Sequence, residues 1–169
     1  HTSSRRQRQM CIRDSAITGA LTNIDITGRE DIKLKDQWEE GAKSYLGIGI
    51  SNFPNLFTIT GPGSPSVLSN MMPSIEQHVN WITDCIDWML KNDKAVIESS
   101  ETAEEEWMSL VNEIADMTVF TDTKSWYNGS NIEEKAKAFL PFIGVPVYTE
   151  MIEDVVNEDY KGFIFDRMN

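Results

Sequence analysis

The chain has 169 residues, 40% hydrophobic and 25% charged, a composition that suits one globular domain with a real core. No apolar run approaches the ~20 residues of a membrane-spanning helix, so no membrane partner is expected. The net charge is −12, and it is uneven: His1 to Asp14 hold Arg5, Arg6, Arg8 and Arg13, leaving 11 basic and 26 acidic residues, a net of −15, in the rest. A body that acidic repels phosphate backbones, which argues against a nucleic-acid partner.

Arg5 to Ser15, RRQRQMCIRDS, has neither the apolar centre of a signal peptide nor any helical or strand periodicity. It matches the in-frame translation of a transposase-type sequencing adapter, and residues 1–15 are expected to be an artefactual or disordered tail joined to a truncated frame. Leu21, Ile24 and Ile26 then alternate with polar residues as in a strand, and Gly28 to Asp31 makes a turn. Lys33 to Lys43 is charged, with Trp38 as its apolar anchor, and Tyr45 to Ile50 alternates small and apolar residues. Phe53 to Thr60 predicts a buried strand whose core contribution is Leu56, Phe57 and Ile59, and Gly61 to Asn70 is loop.

A helix is predicted over Pro73 to Lys91. Pro73 suits a first turn, and Ser74 with Gln77 matches a capping box. Ile75, Val79, Ile82, Ile86 and Met89 form one stripe, widened by Trp81, Cys85 and Trp88. A second helix starts at Thr102, with Glu105 completing a capping box, and buries Ala103, Trp107, Leu110, Val111 and Ile114. Glu104 to Glu106 read as its solvated start, favoured by the helix dipole. Ser125 to Ile132 is a turn-rich loop, Phe139 to Tyr148 is apolar and broken by proline, Thr149 to Asn157 is a short helix, and Tyr160 to Phe165 is a terminal strand.

Cys11 and Cys85 form neither a disulfide framework nor a metal-ligand cluster, which suits a reducing, cytoplasmic setting, with Cys85 in the core. Asn128-Gly129-Ser130 has the form of a glycosylation sequon but reads as a turn. Gly61 to Ser66, GPGSPS, lies between strand and helix as a dinucleotide fingerprint does. Its third glycine position is Ser66, however, and the helix begins too late for its amides to close on a pyrophosphate. What remains is a helix N-terminus suited to the electron-rich pyrimidine edge of a flavin, or an ordinary strand–loop–helix connection. Trp126 and Tyr127, in their polar loop, suit either a lid over a ligand or an anchor onto the core. His78 has no nucleophile arrangement around it in the sequence and is expected at the helix surface or half-buried.

The segments ITGAL, IDITG, SYLGIGISNFPNLFTITGPGSPSVLSNM, SIEQHVNWITDCI, VNEIADMT, SWYNGSNI and YKGF occur in that order. Together, from Ala16 to about Phe165, they resemble the C-terminal part of the Baeyer–Villiger flavin monooxygenases, of the phenylacetone and cyclohexanone monooxygenase type. The resemblance implies an α/β fold, the C-terminal remnant of a flavoprotein with two dinucleotide-binding domains. Residues 16–91 would end the FAD-binding domain, and residues 92–169 would be a mostly helical extension with an NADP-contacting loop. It also implies a parent enzyme that uses FAD, NADPH and molecular oxygen to convert a ketone to an ester or lactone through a flavin peroxide.

Carried over by position, Ser66, Val67, Leu68 and Met71 would shape the ketone pocket, an apolar one suited to an aryl or cyclic ketone. Asn70 and Met71 would lie on the FAD side, and Trp126 and Asn131 on the NADP side. Two departures stand out. Glu133-Glu134 replace the family's Pro-Gly, with Lys135 retained, and Val145 follows Gly144 where the family often has a second glycine. The sequence holds no complete GxGxxG, no FxGxxxHxxxW and no counterpart of the family's upstream arginine, so no catalytic residue is assigned. The fragment alone is expected to be inactive without the upstream portion of the same polypeptide, and to expose apolar surface where sheet partners belonged. The alternatives are a flavin-containing monooxygenase acting on nitrogen or sulfur, or a non-catalytic interaction module.

Overall fold

A computed structural model describes residues 18–65, 70–118, 142 and 144–167. Two short helices, α1 (Gly19–Thr22) and α2 (Leu34–Gln37), flank a 3-10 turn at Arg29–Asp31. A long irregular stretch leads to α3 (Met71–Lys91), followed by β1 (Lys94–Ser99), α4 (Glu101–Asp116), α5 (Val145–Asn157) and β2 (Phe163–Arg167). The strands pair antiparallel, with Ile97 opposite Phe165 and Ser99 opposite Phe163. The result is a mixed helix-and-strand fold.

One large core joins residues from both sides of position 91. Leu46, Ile48, Trp81, Cys85 and Met89 meet Ile97, Trp107, Val111, Tyr148, Ile152 and Tyr160. Its contacts are largely aromatic: Trp81 meets Tyr160 edge-on at 5.1 Å, and Trp107 stacks on Phe142 at 5.1 Å. Such pairs add to the burial of the rings themselves. A smaller core gathers Leu34, Trp38, Ala42, Ile50 and Phe53, and Trp38 is the anchor its sequence context predicts.

α3 is present and ends at Lys91 as its periodicity predicts, but its start and its buried face differ. The cap is Asn70, whose side chain accepts from the Met72 amide at 3.1 Å. Pro73 falls inside the first turn, where its missing N–H costs nothing. Ser74 is not a cap: it is buried, and its Oγ has no hydrogen-bond partner among the described residues. The buried row is Ser74, His78, Trp81, Cys85 and Met89, while Val79 and Ile86 are each 43% exposed. The stripe is thus turned from the most apolar line toward the one that carries both aromatic bulk and a histidine.

α4 begins one residue before the predicted Thr102, because Ser100 caps it by accepting from the Ala103 amide at 3.2 Å. Its buried face is Glu104, Trp107, Met108, Val111 and Ala115, with Ala103, Leu110 and Ile114 half-buried. α5 runs four residues further upstream than predicted. Pro146 sits in its first turn, where proline is tolerated, so it starts the helix instead of breaking it.

Two strand expectations fail. Phe53 to Thr60 makes no strand, because Asn52, Asn55 and Thr60 hold positive φ of 67°, 59° and 53° and interrupt the extended run. Only an isolated bridge, Gly49 to Phe57, remains, and Ile59 is 47% exposed instead of in the core. The Leu21–Ile26 stretch is likewise no strand: it enters α1, and Ile24 is 57% exposed. β1 has no counterpart among the predicted elements. Its signal was the short run Ala95-Val96-Ile97 between the Asn92-Asp93 turn and the Ser100 cap.

The two candidate caps of α3 separate cleanly by mutation. Asn70→Ala should cost about 1 kcal/mol of stability in urea unfolding, whereas Ser74→Ala should be neutral or stabilising because it removes an unpaired buried hydroxyl.

Candidate functional site

The stretch before α3 is buried without being a sheet, and side chains satisfy its backbone. The Thr58 hydroxyl lies 2.9 Å from the Gly47 carbonyl oxygen and 3.2 Å from that of Ile48. The amides of Thr58 and Gly61 donate to Ile48 and Gly47. Ser44 Oγ donates to the Pro62 carbonyl at 2.7 Å, and Ser64 Oγ to that of Gly61 at 2.7 Å. Gly61 cannot carry a side chain, since a Cβ would come to 2.5 Å from Thr58 Oγ1 and 2.8 Å from the Gly47 carbonyl oxygen. Gly63 holds φ +77° against Trp107 and Met108, a conformation that only glycine adopts without strain.

This pinning bears on phosphate binding. The Gly61 and Ser64 amides, which a phosphate cradle would leave unpaired, donate to Gly47 and Gly61 within the chain. A cleft of about 340 Å³ runs beside the loop, lined by Trp38, Phe57, Thr60 and Pro62 among others.

Asn70 and Met71 stand side by side where α3 begins, and both are exposed. Of the four amides a helix start leaves unpaired, Met72 is capped and Pro73 has no N–H, so the terminus has only the Asn70 and Met71 amides to offer. Ser66, Val67, Leu68, Trp126, Tyr127, Asn131 and the Glu133-Glu134 pair lie outside the described residues, as does the tail of residues 1–15.

Two buried polar residues were misplaced by the sequence reading. His78, expected at or near the surface, is fully buried. Its Nδ1 accepts from the Thr60 amide at 3.0 Å, and its Nε2 lies 2.6 Å from Tyr148 Oη, which donates to the Leu46 carbonyl at 2.6 Å. Burial lowers the His78 pKa to about 4 and raises that of Tyr148. Glu104, expected to be solvated, is 4% exposed. Its two oxygens accept from the Ser51 amide at 2.8 Å and the Ser51 hydroxyl at 2.9 Å. Burial raises its pKa against the opposing pull of those two bonds. Both residues had a sequence signal: Glu104 precedes Trp107 and Val111 by three and seven, and His78 precedes Trp81 and Cys85 by the same intervals.

Among the described residues there is no group of histidine, cysteine or acidic side chains suited to a metal ion, and no helix long and apolar enough to cross a membrane. Cys85 is buried, as expected, and its pKa is pushed up to about 12.

Comparisons with known proteins bear on what this geometry serves. No protein-family model matches the sequence. The cyclohexanone 1,2-monooxygenase of Acinetobacter sp is 36% identical over 149 residues, 88% of this chain and 27% of that protein. A Baeyer-Villiger monooxygenase of Pseudooceanicola batsensis is 37% identical over 90% of the chain and 28% of that protein. A phenazine N-monooxygenase of Lysobacter antibioticus is 37% identical over 88% of the chain and 27% of that protein. The crystal structure of cyclohexanone monooxygenase from Rhodococcus sp. Phi1 bound to NADP+ superposes with a TM-score of 0.85 at 36% identity, over 90% of this chain and 29% of that one. The chain therefore spans a little over a quarter of the length of the relatives it matches.

Two outcomes follow from the buried acid and the buried histidine. Glu104→Ala strands two donors on Ser51 and should cost about 1–3 kcal/mol in urea unfolding. For His78, whose folded pKa of about 4 lies below the ordinary 6.5, the contribution to stability is complete above pH 6.5 and is lost as pH falls toward 4. Urea midpoints measured between pH 7 and pH 4.5 should fall more steeply for the native chain than for His78→Asn.

Proposed function

We propose, for a chain with the sequence and fold of a Baeyer–Villiger monooxygenase segment, that the complete polypeptide uses FAD, NADPH and molecular oxygen to turn a ketone into an ester or lactone. The observation that supports this reading best is the agreement of sequence and fold, over about nine-tenths of the chain, with monooxygenases named for ketones. FAD, when bound, supplies the oxygen chemistry, and the polypeptide supplies position and electrostatics.

The described residues fit one part of that cofactor. The Asn70 and Met71 amides at the start of α3, beside the exposed thioethers of Met71 and Met72, suit the edge of a flat, electron-rich ring. Nothing comparable is offered to the diphosphate among the described residues of the loop, where the Gly61 and Ser64 amides are already engaged. On this reading Ser66, Val67, Leu68 and Met71 form one wall of an apolar ketone pocket, Asn70 and Met71 face FAD, and Trp126 and Asn131 reach NADP. Residues 16–91 end the FAD-binding domain and residues 92–169 form the extension. The setting is cytoplasmic, and nucleic acid is not a partner.

The test is product analysis of the complete polypeptide supplied with FAD, NADPH and a panel of cyclic and aryl ketones. An ester or lactone one oxygen heavier than the ketone is the expected product. Oxidation of amines or sulfides with no ester from any ketone would favour the nitrogen- and sulfur-oxidising alternative. Met71→Ala should raise KM for the ketone and leave KM for NADPH unchanged. The 169-residue chain by itself should show no sub-micromolar FAD binding in a fluorescence titration, because that affinity needs about −8 kcal/mol and the diphosphate finds no cradle here.

A further inference from the structure

We propose that His78 is a positioning residue for the glycine–proline loop: the lone pair on its Nδ1 holds the Thr60 amide, and its Nε2–H ties the same point, through Tyr148, to the turn at residues 45–49. The pattern of donors assigns each proton. An amide can only donate, so the 3.0 Å contact from Thr60 N requires an unprotonated Nδ1 and places the ring proton on Nε2. Nε2–H then donates to Tyr148 Oη at 2.6 Å, and Tyr148 passes its own proton to the Leu46 carbonyl at 2.6 Å. No polar atom in the relay is left unused, in a site where an unused one would be costly.

The topology gives the relay its consequence. The loop starts at Thr60 and its far end runs into α3 at Met71, while His78 lies about two turns along that same helix. The Thr60–His78 bond therefore ties the beginning of the loop to the element in which the loop ends. Thr60 needs the tie, because it holds φ 53° without being glycine and immediately precedes Gly61, where no Cβ fits. Tyr148, in the first turn of α5, brings a third element to the same point.

The groups that face His78 are the Thr60 amide from the loop and Tyr148 from α5, with the Leu46 carbonyl behind it. Burial alone depresses its pKa, with no charged neighbour contributing. Protonation would put a second donor opposite the Thr60 amide and break the tie. That the positioned loop borders a ketone pocket rests on the function proposed above; the tie itself does not.

The experiment uses the 169-residue chain labelled with 15N-histidine. His1 and His78 are its two histidines, so His78→Asn assigns the two signals. At pH 7 the ring nitrogen shifts of His78 should report a single neutral tautomer protonated at Nε2, and His78 should remain neutral to about pH 4. A His78 protonated at Nδ1, or titrating near the ordinary histidine value of about 6.5, overturns the proposal. Amide exchange at Thr60 is the second readout. His78→Asn keeps an acceptor where Nδ1 stood and should hold Thr60 protection, whereas His78→Leu should speed Thr60 exchange roughly tenfold relative to His78→Asn. Equal exchange in the two variants would also overturn it. None of these measurements involves turnover, so a failed ketone assay leaves them intact, and their failure leaves the ketone assay standing.

Discussion

Between Ser44 and Pro65 the chain is largely buried yet joins no sheet, and the rest of the structure is arranged around satisfying it. Buried amides and carbonyls need partners, and outside regular structure those partners have to be side chains or isolated backbone contacts. Glu104 of α4 takes the Ser51 amide, Glu98 of β1 takes the Asn52 amide, and His78 of α3 takes the Thr60 amide. Asn55 works in the other direction. Its amide donates to the Ile97 carbonyl and its side-chain oxygen accepts from the Ile97 amide, so one residue stands in for a strand on the free edge of β1. Three successive elements, α3, β1 and α4, are thereby held to one irregular stretch. The order of that stretch is a property of the whole fold and not of its own residues.

That dependence explains which features the amino-acid sequence discloses. α3 was legible because its apolar spacing is local, and a terminal strand was legible too, although β2 runs Phe163–Arg167 and not Tyr160–Phe165 because Tyr160 and Gly162 hold positive φ in the turn before it. Cys85 and Trp38 were legible as core because nothing competes for their burial. His78 and Glu104 were not, because the usual count of apolar positions sets a histidine and an acid aside as surface residues. Their periodicity places them on the buried faces, but the reason they can go inside is a backbone donor contributed by a segment remote in the chain. The missing strand at Phe53–Thr60 has the same origin. Its apolar residues mimic a strand, yet Asn52, Asn55 and Thr60 are fixed in left-handed conformations by long-range bonds. Of the candidate site only Asn70 and Met71 come together among the described residues, and their adjacency follows from sequence position alone. The family was legible for a different reason: many ordered segments agree, and no single side-chain contact has to be foreseen.

The rotation of α3 has a cost that can be seen on its outer face. Turning Ser74, His78 and Trp81 inward leaves Met72, Val79, Ile86 and Leu90 outward, with Leu90 62% exposed. A helix free to choose by hydrophobicity alone would bury Val79 and Ile86 in preference to Ser74 and His78. The polar line is inside because Thr60 and Tyr148 are there to meet it, and because Trp81 brings a large ring against Tyr160 on the same face.

The glycines of the Gly61–Ser66 loop acquire a meaning different from the one their spacing invites. In a phosphate-binding turn, glycine lets the backbone approach an anion and leaves amides pointing at it. Here Gly61 lets the backbone approach Thr58 and the Gly47 carbonyl, Gly63 lets it pass Trp107, and the amides turn back into the protein. The glycines therefore serve close packing, and residues 61–65 are held against the core by contacts of their own backbone. The diphosphate of a dinucleotide would have to be gripped by other parts of a complete polypeptide. Thr58, His78 and Glu104 pin the described backbone on either side of Ile59 and Thr60, and that pinning comes from α3 and α4 as much as from the stretch itself.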